Sequence, residues 1–363
     1  MQPMVPVVSA TGKPLMPTTH RRANRLIAKG RAFRRFDRGL FYIKLLDRTD
    51  GYTQSVALGI DPGSKREAFV VQSPRHTLLN IQAEAVTWVA AAVKRRAVAR
   101  RLRRSRKTPH RVCRPNRRAG KKRLPPSTRA RWGLKVRIAQ WLARYYPVTT
   151  IVIEDIKATT RPGQRRWNKS FSPLEVGKAW CYGELEKIAP VRKVPGYITK
   201  TLREEAGLHK SGAKLSDRWD AHCVDAFVLA NSAAEGPREP TSRQMLLIVP
   251  LQLHRRQLHR FNLGIGGQPK PYGGTVSLGL KRGSWVRHTR HGLVFVGGTS
   301  HGRISLHSMA TGKRLTQQAK VEDCRLLCTA SWRIRSGLKP AKAAGAPPTA
   351  KARGLPPLKG RDL

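Results

Sequence analysis

Residues 55–61, SVALGID, decide the fold, and the chain turns directly after them at Pro62 and Gly63. An apolar run that ends in an acid and a Pro-Gly pair is typical of a buried strand followed by a tight turn. Residues 67–72 and 78–84 alternate between apolar and polar side chains, which predicts two further strands. Three strands with short connections predict the first part of a sheet in which consecutive strands pair.

A second apolar run, TTIVIEDI at residues 149–156, also ends in acids and predicts another buried strand. Helical patterns occupy residues 128–145 and 174–188, and residues 191–194 fit a short strand. The segment SDRWDAHCVDAFVLANSA at residues 216–233 predicts a capped final helix. Strands that alternate with helices in this way predict an α/β fold.

The charge balance restricts the kinds of partner. The 363 residues include 72 Lys and Arg but 21 Asp and Glu, so the formal net charge is +51. Neither a membrane protein nor a metabolic enzyme needs such an excess of positive charge. A protein that binds a polyanion does, because its Lys and Arg side chains release the counterions of the phosphates and so increase the affinity. Two classes fit this charge: a nucleic-acid enzyme and a ribosomal-type structural protein that only neutralises RNA.

No acid interrupts residues 85–153. Within them, KRRAVARRLRRSRK at residues 94–107 is rich in good helix formers and predicts a long cationic helix. Like charges three and four positions apart repel each other on such a helix unless phosphates lie along it, and a disordered basic arm is the alternative. The candidate phosphate-binding residues on this helix are Arg95, Arg96, Arg100, Arg101, Arg103 and Arg104.

The two ends of the chain differ from its middle. Near the N-terminus, PLMP at residues 14–17 predicts a compact apolar turn, residues 19–29 a basic helix and residues 40–46 a strand. Frequent glycines and short alternating segments in residues 246–327 predict a β-rich module. Beyond about residue 339 the composition of Ala, Pro, Lys and Gly predicts a disordered tail.

The cysteines and the lack of long apolar segments predict a reducing, cytoplasmic location. The five cysteines contain no CxxC pair, which disfavours a zinc ribbon and favours reduced thiols. The N-terminus has no uninterrupted apolar segment, so we expect neither a signal peptide nor a membrane span. The protein should stay where nucleic acid is.

Acids are scarce, so their positions are informative. Asp61 ends the first apolar strand, Glu154 ends the second, and Asp225 lies on the final helix with His222 on the same face. Carboxylates that converge from two strand ends and one helix can hold two Mg²⁺ ions, which stabilise the attacking and leaving oxygens of a phosphodiester displacement. His222 has a suitable pKa to accept the proton of the attacking water.

Each acid also has a structural explanation. Asp61 could simply end a strand, Glu154 could cap a loop together with Asp155, and Asp225 could pair with arginines. Asp220 is an alternative to Asp225 as the metal ligand of the final helix. The order of the elements favours a nuclease site: a strand ending in Asp, a long insertion, a strand ending in Glu, and a helix carrying His-x-x-Asp-Ala. Asp225 is preferred to Asp220 because His222 precedes it by three residues and residues 226–229 continue as an apolar helix.

The motifs GIDPGSK at residues 59–65, IVIED at 151–155 and HCVDA at 222–226 resemble the three split motifs of RuvC nucleases, whose core is an RNase H-like α/β fold. The Arg-rich segment is similar to the bridge helix of RNA-guided nucleases. PLMP at residues 14–17 matches the name-giving motif of the N-terminal domain in the transposon-encoded IscB group. These similarities together cover about residues 10–330.

IscB proteins carry an HNH nuclease between the second and third RuvC motifs. Here 70 residues separate Glu154 from Asp225, and none of them forms a His-Asn-His pattern, so the chain resembles the HNH-lacking relatives called IsrB. The resemblance implies an RNA-guided nickase that cuts the displaced non-target strand with one RuvC site and two Mg²⁺ ions, with Mn²⁺ as a substitute. It also implies a monomeric, nucleoid-associated prokaryotic protein that binds a structured omega-type guide RNA and double-stranded DNA beside a target-adjacent motif.

The resemblance also divides the chain. The expected parts are the PLMP domain (1–54), RuvC part I (55–84), the Arg-rich bridge helix and basic segment (85–124), RuvC part II (125–165), RuvC part III (166–245), a β-rich module for the target-adjacent motif and RNA (246–335), and a basic tail (336–363).

Three other functions fit parts of the sequence. A guide-independent junction resolvase would leave the Arg-rich insertion unexplained. A non-catalytic RNA-binding protein with a decayed nuclease fold would not need all three acids. An actin-like ATPase shares the Asp-x-Gly turn after its first strand, but the sequence has no recognisable second phosphate loop.

Overall fold

A computed structural model describes residues 4–107, 124–156, 173–253 and 274–335. The basic segment after residue 107 and the tail predicted beyond residue 339 lie outside the described residues.

The N-terminal residues form a small sheet with one helix. Its elements are β1 (Val5–Val8), β2 (Pro14–Thr18), α1 (His20–Ala28), β3 (Ala32–Asp37) and β4 (Leu40–Leu45). Within the described residues the strand order is β2-β1-β4-β3, with β1 parallel to β4 and the other pairs antiparallel. The predicted basic helix and the strand beginning at Leu40 are therefore confirmed.

The turn predicted at PLMP is wrong, because Pro14–Thr18 form strand β2. This strand lies at the edge of the sheet, where a proline without a backbone N–H costs no ladder hydrogen bond on the open side. Leu15 is buried in the small core between the sheet and α1, together with Val5 and Ala23. Pro14 and Pro17 are compatible with either a turn or an edge strand, and burial of Leu15 favours the strand.

The middle of the chain alternates between strands and helices. Its elements are β5 (Ala57–Asp61), β6 (Arg66–Gln72), β7 (Thr77–Glu84), α2 (Trp88–Lys107), α3 (Pro126–Leu142), β8 (Thr150–Asp155), α4 (Pro173–Glu186), β9 (Val191–Pro195), α5 (Gly196–Glu205), α6 (Trp219–Ala234) and β10 (Met245–Pro250). Every strand and helix predicted between residues 55 and 233 is present. Helix α5 was not predicted.

The central sheet has an RNase H-like strand order. Within the described residues it runs β18-β10-β7-β6-β5-β8-β9, where β18 is Trp332–Arg335. Strands β5, β6 and β7 form an antiparallel meander, and β8 and β9 add parallel to the free side of β5. The predicted α/β fold with an RNase H-like core is confirmed.

Helices cover the two faces of this sheet, and strand alternation decides which residues each face receives. On β5, Leu58 and Ile60 face the large core that includes α3 and α4. Ala57 faces α6 on the opposite side, as does Ala68 of β6. Small residues on the α6 side let this helix approach the sheet closely, which matters for the site described below.

The C-terminal residues form the predicted β-rich module. Its strands are β11 (Val276–Ser277), β12 (Leu280–Lys281), β13 (Trp285–His288), β14 (Gly292–Ser300), β15 (Arg303–Ser308), β16 (Arg314–Ala319) and β17 (Cys324–Cys328). In the described part of the chain, β11 pairs with β12, and the other strands form a sheet of order β16-β15-β14-β13-β17.

The module is inserted between two strands of the central sheet. Strand β10 precedes it and pairs parallel with β7, and β18 follows it and pairs antiparallel with β10. The boundary expected at residue 246 therefore falls inside β10, because the apolar sequence MLLIVP extends the central sheet. No helix among the described residues is long and apolar enough to cross a membrane.

Candidate active site

The first predicted acid, Asp61, ends β5 at the edge of the central sheet where the chain turns sharply. Asp61 is buried. The Gly63 amide donates to the Asp61 carbonyl at 3.1 Å, and a Cβ atom at Gly63 would overlap the Arg66 carbonyl oxygen. The glycine therefore permits the tight return into β6, which leaves the Asp61 side chain fixed at the strand end.

Helix α6 brings the third predicted acid to the same place. It crosses β5 at Gly59, where a Cβ atom would overlap the backbone carbonyl oxygen of Ala226. The missing side chain of Gly59 lets the helix backbone lie directly on the strand. Because Asp225 precedes Ala226, its buried carboxylate is carried toward Asp61.

The second predicted acid, Glu154, lies on the strand next to Asp61. Strands β5 and β8 pair in parallel, with Ile60 opposite Ile153, so the following residues are neighbours. Burial, reinforced by the carboxylates of Asp61 and Asp225, raises the pKa of Glu154 to about 7. The three acids predicted from the sequence are thus brought together. Their mutual repulsion contributes to the raised pKa of Glu154.

The start of α5 makes room for the Glu154 side chain. A Cβ atom at Gly196 would lie 2.9 Å from Glu154 Oε1. A larger residue there would press on the carboxylate, so Gly196 is a further residue on which the shape of the site depends. The role of Gly196 was not predicted, because α5 itself was not predicted.

His222 joins the acids through Asp61. Its Nδ1 lies 3.6 Å from Asp61 Oδ2, and its Nε2 donates to the Lys214 carbonyl oxygen at 2.8 Å. Burial opposes protonation of the ring, but the Asp61 carboxylate and the Lys214 carbonyl outweigh it, so the pKa of His222 is raised. The carbonyl bond orients the ring with Nδ1 toward the acids.

Two cations that the sequence did not single out bind Asp225. Arg203 of α5 donates to Oδ1 at 2.5 Å, and Lys210, in the loop between α5 and α6, donates to Oδ2. Burial disfavours the charge on Lys210, but Asp225, Asp61 and Glu154 more than compensate, so the pKa of Lys210 is raised. In a chain with 72 Lys and Arg, no sequence signal distinguishes these two.

The alternative third acid, Asp220, lies away from this cluster. It occupies the first turn of α6 and pairs with Arg218 at 2.7 Å on the surface. Asp217 is also engaged elsewhere, by Arg66 at 3.4 Å and by Arg335. The geometry therefore places Asp225, and neither of the other two aspartates of this segment, beside Asp61.

The donor set fits a hard divalent cation. It consists of carboxylate oxygens, which Mg²⁺ and Mn²⁺ prefer, and the carboxylates of Asp61 and Asp225 add to burial in raising the pKa of Glu154. Among the described residues, no group of three His, Cys, Asp or Glu side chains is already arranged around a common metal position. Both oxygens of Asp225 are instead bound by Arg203 and Lys210.

The predicted phosphate-binding arginines lie on a helix outside this cluster. Arg95, Arg96, Arg100 and Arg101 are exposed on α2, which packs on α3. The side chains of Arg103 and Arg104 lie outside the described residues. Helix α2 thus presents at least four guanidinium groups to solvent.

The sequence matches one family model, described as RRXRR protein, over residues 5–167. This range covers less than half of the chain and includes Asp61 and Glu154. No curated protein matches the chain significantly.

Among solved structures, the chain is similar to two of RuvC and one of a yeast resolvase. Thermus thermophilus RuvC in complex with a Holliday junction substrate is 12% identical, with a TM-score of 0.27, over 49% of this chain and 90% of that one. A second structure of T. thermophilus RuvC is 13% identical, with a TM-score of 0.23, over 48% and 90%. The yeast mitochondrial Holliday junction resolvase Ydc2 is 13% identical, with a TM-score of 0.26, over 51% and 80%. By its own strand order, this chain has an RNase H-like core.

Proposed function

We propose that this protein is a metal-dependent DNA endonuclease that cuts one strand with a single RuvC site and is directed by a guide RNA. The observation that carries the proposal is the convergence of Asp61, Glu154 and Asp225, with His222 beside Asp61, at one edge of an RNase H-like sheet. Carboxylates at such a position are suited to phosphodiester hydrolysis assisted by two metal ions.

Each residue of the site has a chemical role in this proposal. Asp61, Glu154 and Asp225 would hold the metal ions, which when bound stabilise the charge that develops on the attacking and leaving oxygens. His222 would accept a proton from the attacking water at Nδ1, because its Nε2 already donates to Lys214. The Asp61 carboxylate raises the pKa of His222 because it stabilises the protonated ring. If the charge of Asp61 is neutralised, this stabilisation is lost, and Nδ1 gives up its proton and can act as a base.

Three features support guidance by RNA. The net charge of +51 calls for an extended polyanionic partner. The exposed arginines of α2 form a cationic surface in the segment that resembles a bridge helix. The PLMP motif and the missing HNH nuclease point to an IsrB-like nickase with a structured omega-type RNA, acting on double-stranded DNA beside a target-adjacent motif. We assign contact with that motif to the β-rich module.

The guided part of the proposal is tested by expressing the protein with its native flanking DNA and sequencing the RNA that co-purifies. We expect one dominant structured RNA encoded next to the gene. A mixture of unrelated host RNAs would contradict guidance. Cleavage of a synthetic four-way junction by the RNA-free protein would then favour a guide-independent resolvase, whereas inactivity on every DNA would favour a basic RNA-binding protein.

A further inference from the structure

A row of aromatic side chains lies on the surface of the N-terminal sheet. Phe36 of β3 is 68% exposed, and its ring centroid is 5.1 Å from that of Phe41, its cross-strand partner on β4. Phe41 in turn stacks on His20, the first residue of α1, with a centroid distance of 6.4 Å and an interplanar angle of 12°. We call His20, Phe41 and Phe36 the aromatic row.

The exposure of Phe36 follows from the position of β3 in the sheet. Strand β3 is an edge strand, and its residues 33–36 are all exposed. On the other face of the same strand, Phe33 is also exposed, and the Arg35 guanidinium lies 5.6 Å from its ring centroid. Because Phe33 and Phe36 bury little surface, the hydrophobic core does not account for either of them.

The surroundings of the aromatic row are strongly cationic. Residues 1–54 contain eleven Lys and Arg and three acids. Asp37 is turned toward the central core, where it accepts hydrogen bonds from Trp141 and Tyr145. Asp47 and Asp50 pair with Arg31 and Lys13. The exposed arginines of this region are Arg21, Arg22, Arg25, Arg31, Arg34 and Arg35. An exposed apolar surface inside such a field matches a ligand that carries both flat rings and negative charges.

We propose that the aromatic row binds unpaired bases of single-stranded RNA, with the neighbouring arginines holding the phosphates. Aromatic side chains stack on bases of any sequence, and arginines suit the backbone between them. The proposal rests on the proposed function only in naming the guide RNA as the source of the unpaired segment. Stacking itself requires neither cleavage nor a particular guide.

The test uses the full-length protein, freed of co-purified RNA, and a short single-stranded RNA that contains 2-aminopurine. The fluorescence of this base reports stacking directly. It is titrated at high salt, where phosphate contacts elsewhere on the protein are weakened. We expect Phe36→Leu to weaken the stacking signal and raise Kd by about five-fold or more. Phe36→Trp, which keeps an aromatic face, should bind at least as well as the wild type.

The matched control is Tyr197→Leu, which removes an aromatic ring that is 72% exposed on α5, outside the N-terminal sheet. We expect it to leave the stacking signal unchanged. Equal binding by Phe36→Leu and the wild type would overturn the proposal, as would loss of binding in Phe36→Trp while thermal melting shows an intact fold. A change in sedimentation of the protein alone on Phe36→Leu, without a change in RNA stacking, would instead mark a protein interface.

The proposed nuclease function can fail without this result. Asp61→Asn should bind the 2-aminopurine RNA like the wild type, because Asp61 lies in the central sheet. If no RNA-guided nicking is found but Phe36→Leu still loses the stacking signal, the RNA site stands and the nuclease proposal falls.

Discussion

Two sets of buried charges lie on opposite faces of the central sheet, and they are built differently. On the face covered by α3, Glu67 and Lys135 form one closed pair at 2.6 Å, with side chains 0% and 2% exposed. The Lys135 amine also lies 4.6 Å from the Trp132 ring centroid. On the face covered by α6, Arg203 and Lys210 both bind Asp225, and Lys210 also interacts electrostatically with Asp61 and Glu154.

The difference separates a charge that stabilises a fold from charges that are available for chemistry. Glu67 has one dedicated partner, although burial still raises its pKa against the effect of Lys135. Around Asp61 three carboxylates lie near the two cations that bind Asp225, and repulsion by Asp61 and Asp225 adds to burial in raising the pKa of Glu154. Such a cluster of carboxylates favours binding of a further cation. Each of the following predictions alters one side of this comparison.

The largest effect is expected from removing one acid of the α6 face. Asp225→Asn keeps the shape of the side chain but removes its charge, so we expect the rate of plasmid nicking to fall on the order of a thousand-fold. The matched control is Asp220→Asn in the same helix. Asp220 pairs with Arg218 on the surface, and such a pair contributes little to stability. A large loss of nicking with Asp220→Asn and none with Asp225→Asn would show that Asp220, and not Asp225, is the third acid of the site.

Breaking the closed pair should affect folding rather than chemistry. Lys135→Met leaves the buried Glu67 without its partner, so we expect the free energy of unfolding to fall by about 3–5 kcal/mol. Replacing both residues, with Glu67→Leu added to Lys135→Met, should restore most of that loss because no buried charge remains. Urea denaturation of the metal-free protein measures both. A stable single variant would contradict the dedicated pairing.

Removing a cation from the α6 face should improve metal binding. Lys210 binds Asp225 and so competes with a metal ion for this carboxylate. Lys210→Met should therefore bind Mn²⁺ more tightly, by about ten-fold if the lost competition is worth about 1.4 kcal/mol. Isothermal titration calorimetry without DNA measures this affinity. Lys214→Met is the control, because that side chain is exposed and its carbonyl alone contacts the site. Weaker Mn²⁺ binding by Lys210→Met would contradict this competition and would show that Lys210 positions Asp225 for the metal ion.

The smallest effect is a pH dependence of stability. The folded pKa of Glu154, about 7, lies above its ordinary value of 4.5, so its contribution to stability is fully present below pH 4.5 and is lost as the pH rises through 7. The melting temperature of the metal-free wild type should therefore fall between about pH 4.5 and pH 7 relative to Glu154→Gln. Mg²⁺ should oppose this fall, since it binds the deprotonated acid. Parallel pH profiles for the two proteins would contradict the assignment.

The fold and the acids could be read from the sequence because each rests on a local pattern. Apolar runs that end in Asp61 and Glu154 predicted strand ends, and the helical spacing of His222 and Asp225 predicted one face. The convergence then follows from strand order. The strand ends and the helix face can be predicted without knowing which distant residues are in contact.

What the sequence could not predict depends on contacts between distant segments. Lys210 and Arg203 are two among 72 similar residues until the fold places them on Asp225. The PLMP segment became a strand because Leu15 is buried under α1, and β18 joins the central sheet across a whole inserted module. The closed pair of Glu67 and Lys135 was missed for the same reason.

The central claim is that the acids on the α6 face form one nicking site. Its most direct test is incubation of the protein–RNA complex with a supercoiled plasmid that carries the target, comparing the wild type with Asp61→Asn in Mg²⁺. We predict that the wild type converts the plasmid to the open circular form without linear product and that Asp61→Asn leaves it supercoiled. Linear product, or nicking that persists in Asp61→Asn, would contradict the account.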